Sequence, residues 1–213
     1  MASNAVERKI VHTSKKSNRE YSCKYLARTS WSQFQELDHS LSRLMSLYNG
    51  YFGTKSFKIL RALLKFLEWT GHGVPWLVFV SYQIFASSDE FYFTLMLSLI
   101  LDLIVIAVLK LVFQRPRPIY NENDMPLSAS KVDDFSFPSG HTTRAFMVMF
   151  LYVMHRISNI ERIFWISWAV LLGLSRVVLG RHHLSDVVAG VFIGLADGVM
   201  VTEFVMWYNR QHF

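Results

Sequence analysis

An all-α, polytopic transmembrane helical bundle is the fold class this sequence predicts. Three observations carry that expectation. The chain is 52% hydrophobic and only 18% charged, with a mean hydropathy of +0.24, a more apolar balance than soluble domains use. Several runs approach the roughly 20 apolar residues that a helix needs to cross a hydrocarbon core about 30 Å thick. Those runs are apolar on every face, where a soluble helix would show one stripe.

In chain order, the first stretch, "MASNAVERKIVHTSKKSNREYSCKY", is polar and basic. It lacks the apolar region and small-residue cleavage site of a signal peptide. Residues 1–30 therefore read as a basic, disordered, cytosolic tail. Cys23 is the only cysteine, which excludes an intramolecular disulfide and a cysteine-rich zinc site; it reads as a free surface thiol. Residues 31–68 read as an amphipathic segment. Leu37, Leu41, Leu44 and Tyr48 recur at helical spacing, and Asp38, Ser42 and Arg43 take the other face. Such a helix suits the membrane interface, and equally a cytosolic helix packed on the core.

Residues 69–209 read as a transmembrane core with five candidate spans: 75–86 (beginning near Trp69), 91–109, 142–157, 163–180 and 187–207. A sixth, hidden at 60–67, is the alternative and would invert the topology. The stretch 120–135, "YNENDMPLSASKVDDF", is polar and turn-rich and reads as a loop. With five spans, the tail, "LKLVFQRPRP", "FPSGH" and "SRVVLGRHHLSD" share one membrane face. Most of the Lys and Arg lie there, which makes that face cytosolic by the positive-inside rule. The net charge of +6 fits basic loops or an anionic ligand; no nucleic-acid partner is expected. Asp102, Asp197 and Glu203 interrupt apolar runs and read as interhelical pairing. Gly190, Gly194 and Gly198, four apart, read as close helix packing.

Three clusters on the predicted cytosolic face carry chemistry. In the first, Lys110 ends an apolar run and Arg115-Pro116-Arg117-Pro118 follows. Alone this would be a stop-transfer flank, but prolines stiffen the chain and fix where the arginines point. In the second, Pro138-Ser139-Gly140-His141 opens a helix. Its free N–H groups form an anion site, Gly140 admits a close ligand, and Ser139 alone would be an ordinary cap. In the third, Arg176 lies near the end of an apolar run, where an unpaired charge is costly. Asp186 follows His182 by four and His183 by three, so helical geometry lets either imidazole share its face. A zinc site of these residues is disfavoured, because adjacent histidines point apart on a helix. The three clusters together make an oxyanion cage with a nucleophile and an acid–base group, the set that phosphoryl transfer needs.

Lys110-x6-Arg117-Pro118, Pro138-Ser139-Gly140-His141 and Ser175-Arg176-x5-His182-x3-Asp186 resemble all three signature motifs of the type 2 phosphatidic acid phosphatase superfamily. That superfamily also includes vanadium haloperoxidases and glucose-6-phosphatase. The flanks, from "LEWTGHGVPWL" through "LLGLSRVVLGRHHLSDV", look like its polyisoprenoid (presqualene) diphosphate phosphatase branch. The resemblance implies an integral membrane hydrolase with no cofactor and no metal, working through a phosphohistidine. It makes His182 the nucleophile and Asp186 its orienting partner. His141 becomes the acid for the leaving oxygen, then the base for water. Lys110, Arg117 and Arg176 hold the phosphoryl oxygens, assisted by Ser139 and the Gly140 N–H. Arg115 is off the family spacing and reads as a surface neighbour. His72 reads as a helix-start residue in far-side packing, or as a substrate neighbour. The implied partners are membrane lipids and a lipid diphosphate, namely farnesyl, geranylgeranyl or presqualene diphosphate. Phosphatidate, lysophosphatidate or sphingosine phosphate is the alternative. The implied location is the endoplasmic reticulum and nuclear envelope, with the active site on the cytosolic face. A non-catalytic membrane scaffold would have lost motif residues, and this chain has lost none.

Overall fold

The computed structural model of the protein describes residues 30–46, 55–122, 124, 131–155 and 158–212. The expected tail before residue 30, Cys23 and Tyr48 lie outside the described residues. So do 123 and 125–130 of the expected loop. Among the described residues the fold is all-α. Helix α1 covers 30–45. Then come α2 (Lys55–Thr70), α3 (Gly73–Ala86), α4 (Glu90–Phe113), a 3-10 turn (Lys131–Asp134), α5 (Gly140–His155), α6 (Asn159–Val178) and α7 (Leu184–His212). By contacts the chain divides into two compact units, Met1–Ser40 and Leu41–Phe213.

Local chemistry sets the helix ends. Asp89 accepts a hydrogen bond from Phe91 N (3.1 Å) and starts α4. Ser158 and Glu161 form a reciprocal capping box on α6, which satisfies two otherwise orphaned N–H groups. Gln114 closes α4 in the left-handed region (φ 44°), and Pro116 then prevents the helix from resuming. After α6 the chain turns at Gly180 (φ 72°). A Cβ there would also stand 2.9 Å from the Tyr120 ring, so glycine is required twice over.

Helix α5 packs against α4, α6 and α7 and forms the centre of the bundle. Its crossing with α7 is close. A Cβ at Gly194 would stand 2.9 Å from the Thr143 carbonyl carbon and collide with its oxygen, and one at Gly190 would come within 3.1 Å of Ser139 O. Small residues let the two backbones approach, as the four-residue spacing predicts. Gly194→Ala is therefore expected to destabilise by about 1–3 kcal/mol or more, because backbone cannot yield as a side chain can. On an open helix face the same change would be stabilising. A fall in Tm in detergent checks this; an unchanged Tm would contradict the close crossing.

The bundle is apolar outside, and inside it buries charged groups beside an apolar core. Val78, Tyr82, Ile104, Val112, Val170 and Phe192 are exposed, while Asp102, Lys110, Arg144, Arg176, Asp186 and Asp197 are buried. This distribution suits lipid as solvent. Helices α4 and α7 are long and apolar enough to cross a membrane. Helix α3 is apolar but has only 14 residues. Helix α2 occupies the region of the alternative sixth span. It has 16 residues, exposes Ile59, Leu63 and Phe66, and places Arg61 in an ion pair with Glu122 (2.5 Å). It is amphipathic, not apolar all round. In the second unit, Leu41, Leu44 and Met45 of α1 are exposed while Ser42 is buried. Ser42 Oγ accepts a hydrogen bond from Leu184 N, the first residue of α7 (2.8 Å). The apolar side of this stretch thus faces outward while its polar side meets the start of α7.

Candidate active site

Helices α3, α5 and α7 begin, and α4 and α6 end, at one end of the bundle. They bring Gly73, Gly140, Lys110 and Arg176 to a single cavity of about 330 Å³, which His182, just before α7, also lines. Helix N-termini carry partial positive charge, and four cationic side chains reinforce it: Lys110, Arg117, Arg144 and Arg176. Two carboxylates, Glu68 and Asp133, share the wall. The arrangement favours a multiply charged anion. The remaining wall is apolar and includes Val74, Leu77, Leu103 and Ile106. Val74 and Leu103 are also exposed on the outer surface, so the cavity reaches the lipid-facing side between α3 and α4.

His182 is buried, and its Nδ1 lies 2.7 Å from the Ser136 carbonyl oxygen. A carbonyl only accepts, so Nδ1 carries the proton and the lone pair of the neutral ring sits on Nε2. Burial, then the charges of Arg117, Arg176 and Lys110, hold His182 well below the ordinary imidazole range; the Ser136 bond works weakly the other way. The ring is therefore neutral at pH 7 and able to act as a nucleophile. His141 occupies the first turn of α5. Its Nε2 is buried without a hydrogen-bond partner among the described residues, and its ring borders the same cavity.

Each cage cation has a partner within the protein. Lys110 Nζ lies 3.2 Å from Asp133 Oδ1. Arg117 donates through Nε (2.9 Å) and Nη2 (2.5 Å) to Asp133 O, and through Nη1 to Arg181 O (3.1 Å). Burial and neighbouring Arg176 pull Arg117 down to about 10, so it remains charged at neutral pH. Arg176 Nη2 donates to Glu68 (3.0 Å). Arg144 Nη2 meets Asp102 Oδ2 at 2.7 Å and its Nη1 donates to Gly71 O (3.2 Å). The interhelical pairing expected of Asp102 is thus present between α4 and α5. Asp197 is buried, whereas Glu203 is exposed and does not point into the bundle.

Several residues sit differently from the sequence expectation. Asp186 Oδ2 is 3.9 Å from His182 Nδ1. Its shorter contacts are His183 N (2.9 Å) and Arg115 Nη1 (2.5 Å). The direct holder of His182 is the Ser136 carbonyl. Arg115, read as a surface neighbour, instead bonds Asp186 and Ser185 Oγ (2.7 Å), because the turn at Gln114 swings it back over the start of α7. Ser139 shares its hydroxyl with Thr142 Oγ1 (2.9 Å). Its backbone N–H donates to Asp186 O (3.2 Å), so it ties α5 to α7, and Gly140 and His141 are the residues of its motif on the cavity wall. His72 starts α3 as expected, but beside the cavity and not in far-side packing. It caps α3 by accepting from Val74 N (3.3 Å) and lies with its ring 5.9 Å from that of His141. Glu68, Asp133, Ser136 and Arg144 escaped sequence reasoning.

Comparison with known proteins gives a consistent result. A family model described as the PAP2 superfamily matches residues 91–210. The chain is 32% identical over 136 residues to a probable lipid phosphate phosphatase beta of Arabidopsis thaliana, covering 52% of this chain and 63% of the relative. It is 30% identical over 139 residues to an undecaprenyl-diphosphatase of Sulfolobus acidocaldarius, covering 63% and 66%. The chain thus spans just under two thirds of the length of these relatives. Its fold resembles the crystal structure of a transmembrane PAP2-type phosphatidylglycerolphosphate phosphatase from Bacillus subtilis. That match has a TM-score of 0.64 and 24% identity, and covers 82% of this chain and 87% of the other.

Proposed function

The chain belongs to the PAP2 superfamily, and on that premise we propose that it is a metal-independent membrane lipid phosphatase. The substrates proposed are polyisoprenoid diphosphates, hydrolysed through a phosphohistidine intermediate. One observation carries this reading. A cationic cage at the buried end of the cavity is continuous with an apolar wall that reaches the lipid-facing surface. A diphosphate suits the cage, and an isoprenoid chain suits the wall formed by Val74, Leu77 and Leu103. The name of the undecaprenyl-diphosphatase relative supports the same substrate class.

In the proposed reaction, His182 Nε2 attacks the terminal phosphorus and the bond to the bridging oxygen breaks. The leaving lipid monophosphate takes a proton from His141. His141 then removes a proton from water, which attacks the phosphorus, breaks the P–N bond and releases orthophosphate. Lys110, Arg117 and Arg176 spread the charge on the transferring phosphoryl group, the role that Mg²⁺ and Arg fill in other phosphoryl transfers. The Gly140 N–H adds a donor at the start of α5. Asp186, through its charge, supports the cationic form of His182.

Helices α3 to α7 serve as five spans in this reading, with 31–68 as an interfacial segment, 1–30 as a tail and 69–209 as the core. The site faces the cytosol from the endoplasmic reticulum and nuclear envelope. The test is hydrolysis of farnesyl diphosphate by the purified full chain in detergent with EDTA present. Phosphate release is expected, with a kcat/KM above that for phosphatidate in competition. No release would overturn the mechanism, and a preference for phosphatidate would overturn the substrate assignment.

A further inference from the structure

The motifs account for the two histidines and three of the cations, but not for the buried carboxylate that faces them. Glu68 lies in the last turn of α2, is 2% exposed, and lines the cavity. Burial alone would raise its pKa, but Arg176 and Arg181 more than offset this and hold the carboxyl below its ordinary value. It is a fixed negative charge inside a site built for anions. A carboxylate there opposes substrate binding, so its presence needs a positive reason.

The geometry supplies one. Arg176 is fully buried, and its Nη2 donates to Glu68 Oε1 at 3.0 Å. Its Nε and Nη1 have no hydrogen-bond partner among the described residues. A guanidinium is a rigid planar fork; fixing one corner fixes where the other donors point. Glu68 itself is braced by Arg181, whose Nη2 lies 3.5 Å from Glu68 Oε2. Arg181 is in turn anchored by Asp124 Oδ1 (2.5 Å) and the Glu122 carbonyl. Arg61 holds the same Asp124 (2.9 Å) from α2. The brace therefore runs from α2 through Glu122 and Asp124 to the cage.

We infer that Glu68 is a positioning residue: it holds Arg176 by Nη2 and so sets where the free Nε–H and Nη1–H donors meet the transferring phosphoryl group. The inference rests on the proposed cage, with Arg176 as a phosphoryl ligand. Because the charge of Glu68 repels an anion while its hydrogen bond orients a donor, the two effects separate by substitution. Glu68→Ala removes both. Glu68→Gln removes the charge and keeps an acceptor oxygen for Nη2.

The experiment measures kcat and KM for farnesyl diphosphate with the full chain in detergent. It also measures thermal-shift affinities for orthophosphate and for vanadate, a mimic of the five-coordinate phosphoryl group. Glu68→Ala is expected to lower kcat by about ten- to hundredfold, the loss typical when a partner that orients a ligand is removed. KM and orthophosphate affinity should be unchanged or tighter, and vanadate affinity weaker. Glu68→Gln should recover most of kcat and of vanadate affinity. In an Arg176→Ala background, Glu68→Ala should cost little more, since the two residues act as one unit.

Three results would overturn the inference. The first is unchanged or faster turnover in both variants, which would make Glu68 only a counterion. The second is an equal loss in Ala and Gln that follows the folded fraction on size exclusion. The third is an additive loss with Arg176→Ala. If the wild-type chain released no phosphate, the proposed function would fail. The vanadate and orthophosphate affinities of the variants would still decide the role of Glu68.

Discussion

His182→Asn is expected to lower turnover by roughly 10⁴-fold or more, the scale seen when a covalent nucleophile is removed, and to abolish trapping of a phosphohistidine. Asparagine keeps a donor toward the Ser136 carbonyl, so the loop before α7 should hold while the nucleophilic nitrogen disappears. His183→Asn is expected to retain most activity. The contacts explain the asymmetry between adjacent imidazoles. The ring of His182 lines the cavity and is oriented by a carbonyl 2.7 Å from Nδ1. His183 instead uses its backbone N–H to reach Asp186 Oδ2 and belongs to the start of α7. Burial and three nearby cations keep His182 neutral near pH 7, so no prior deprotonation is needed. Quench-flow with a ³²P-labelled substrate, followed by alkaline denaturation, would detect the intermediate. Trapping in the His182 variant, or loss of trapping only in the His183 variant, would reverse the assignment.

What the sequence made legible was what local spacing encodes. Runs of apolar residues marked α3 to α7, although their ends shifted. Helix α5 starts at Gly140 and α7 runs to His212, because caps and amphipathic last turns extend a helix beyond its apolar stretch. The lone Asp102 in an apolar run announced a partner, and Arg144 on α5 is that partner. The glycines spaced at four announced the close α5–α7 crossing. The resemblance brought Lys110, Arg117, His141, Arg176 and His182 into one expected site, and the fold lines one cavity with all five. The supporting residues were not legible, for a physical reason. Glu68 and Arg176 are 108 positions apart and Arg117 and Asp133 sixteen, and no periodicity links such pairs. Ser136 acts through a backbone carbonyl, which any residue type could supply. Only Glu68 left a trace, as a single carboxylate between the apolar end of α2 and "TGHG".

Asp186→Asn provides the sharpest test of how His182 is held. In a serine-protease triad the same change costs about 10⁴-fold because the imidazole adopts the wrong tautomer. Here the tautomer is fixed by the Ser136 carbonyl, which the substitution leaves in place. What is lost is a negative charge whose Oδ2 lies 3.9 Å from Nδ1. At that separation a charge pair is worth about 4 kcal/mol at an effective dielectric of 20. Arg115, 2.5 Å from Oδ1, already neutralises much of it. The expected loss in kcat is therefore nearer about 10²-fold, well short of that for His182→Asn. Arg115→Ala should act mainly on stability. It leaves Asp186 fully buried without its closest cation. Removing one partner of a buried pair costs about 3–5 kcal/mol, and less here because Arg115 is 23% exposed. The double variant Arg115→Ala/Asp186→Asn should regain part of that Tm, since the stranded charge is gone. If Asp186→Asn matched His182→Asn in kcat, the carboxylate and not the carbonyl would be setting the ring. If Arg115→Ala left both Tm and kcat unchanged, Arg115 would be the surface neighbour that its sequence position alone suggests.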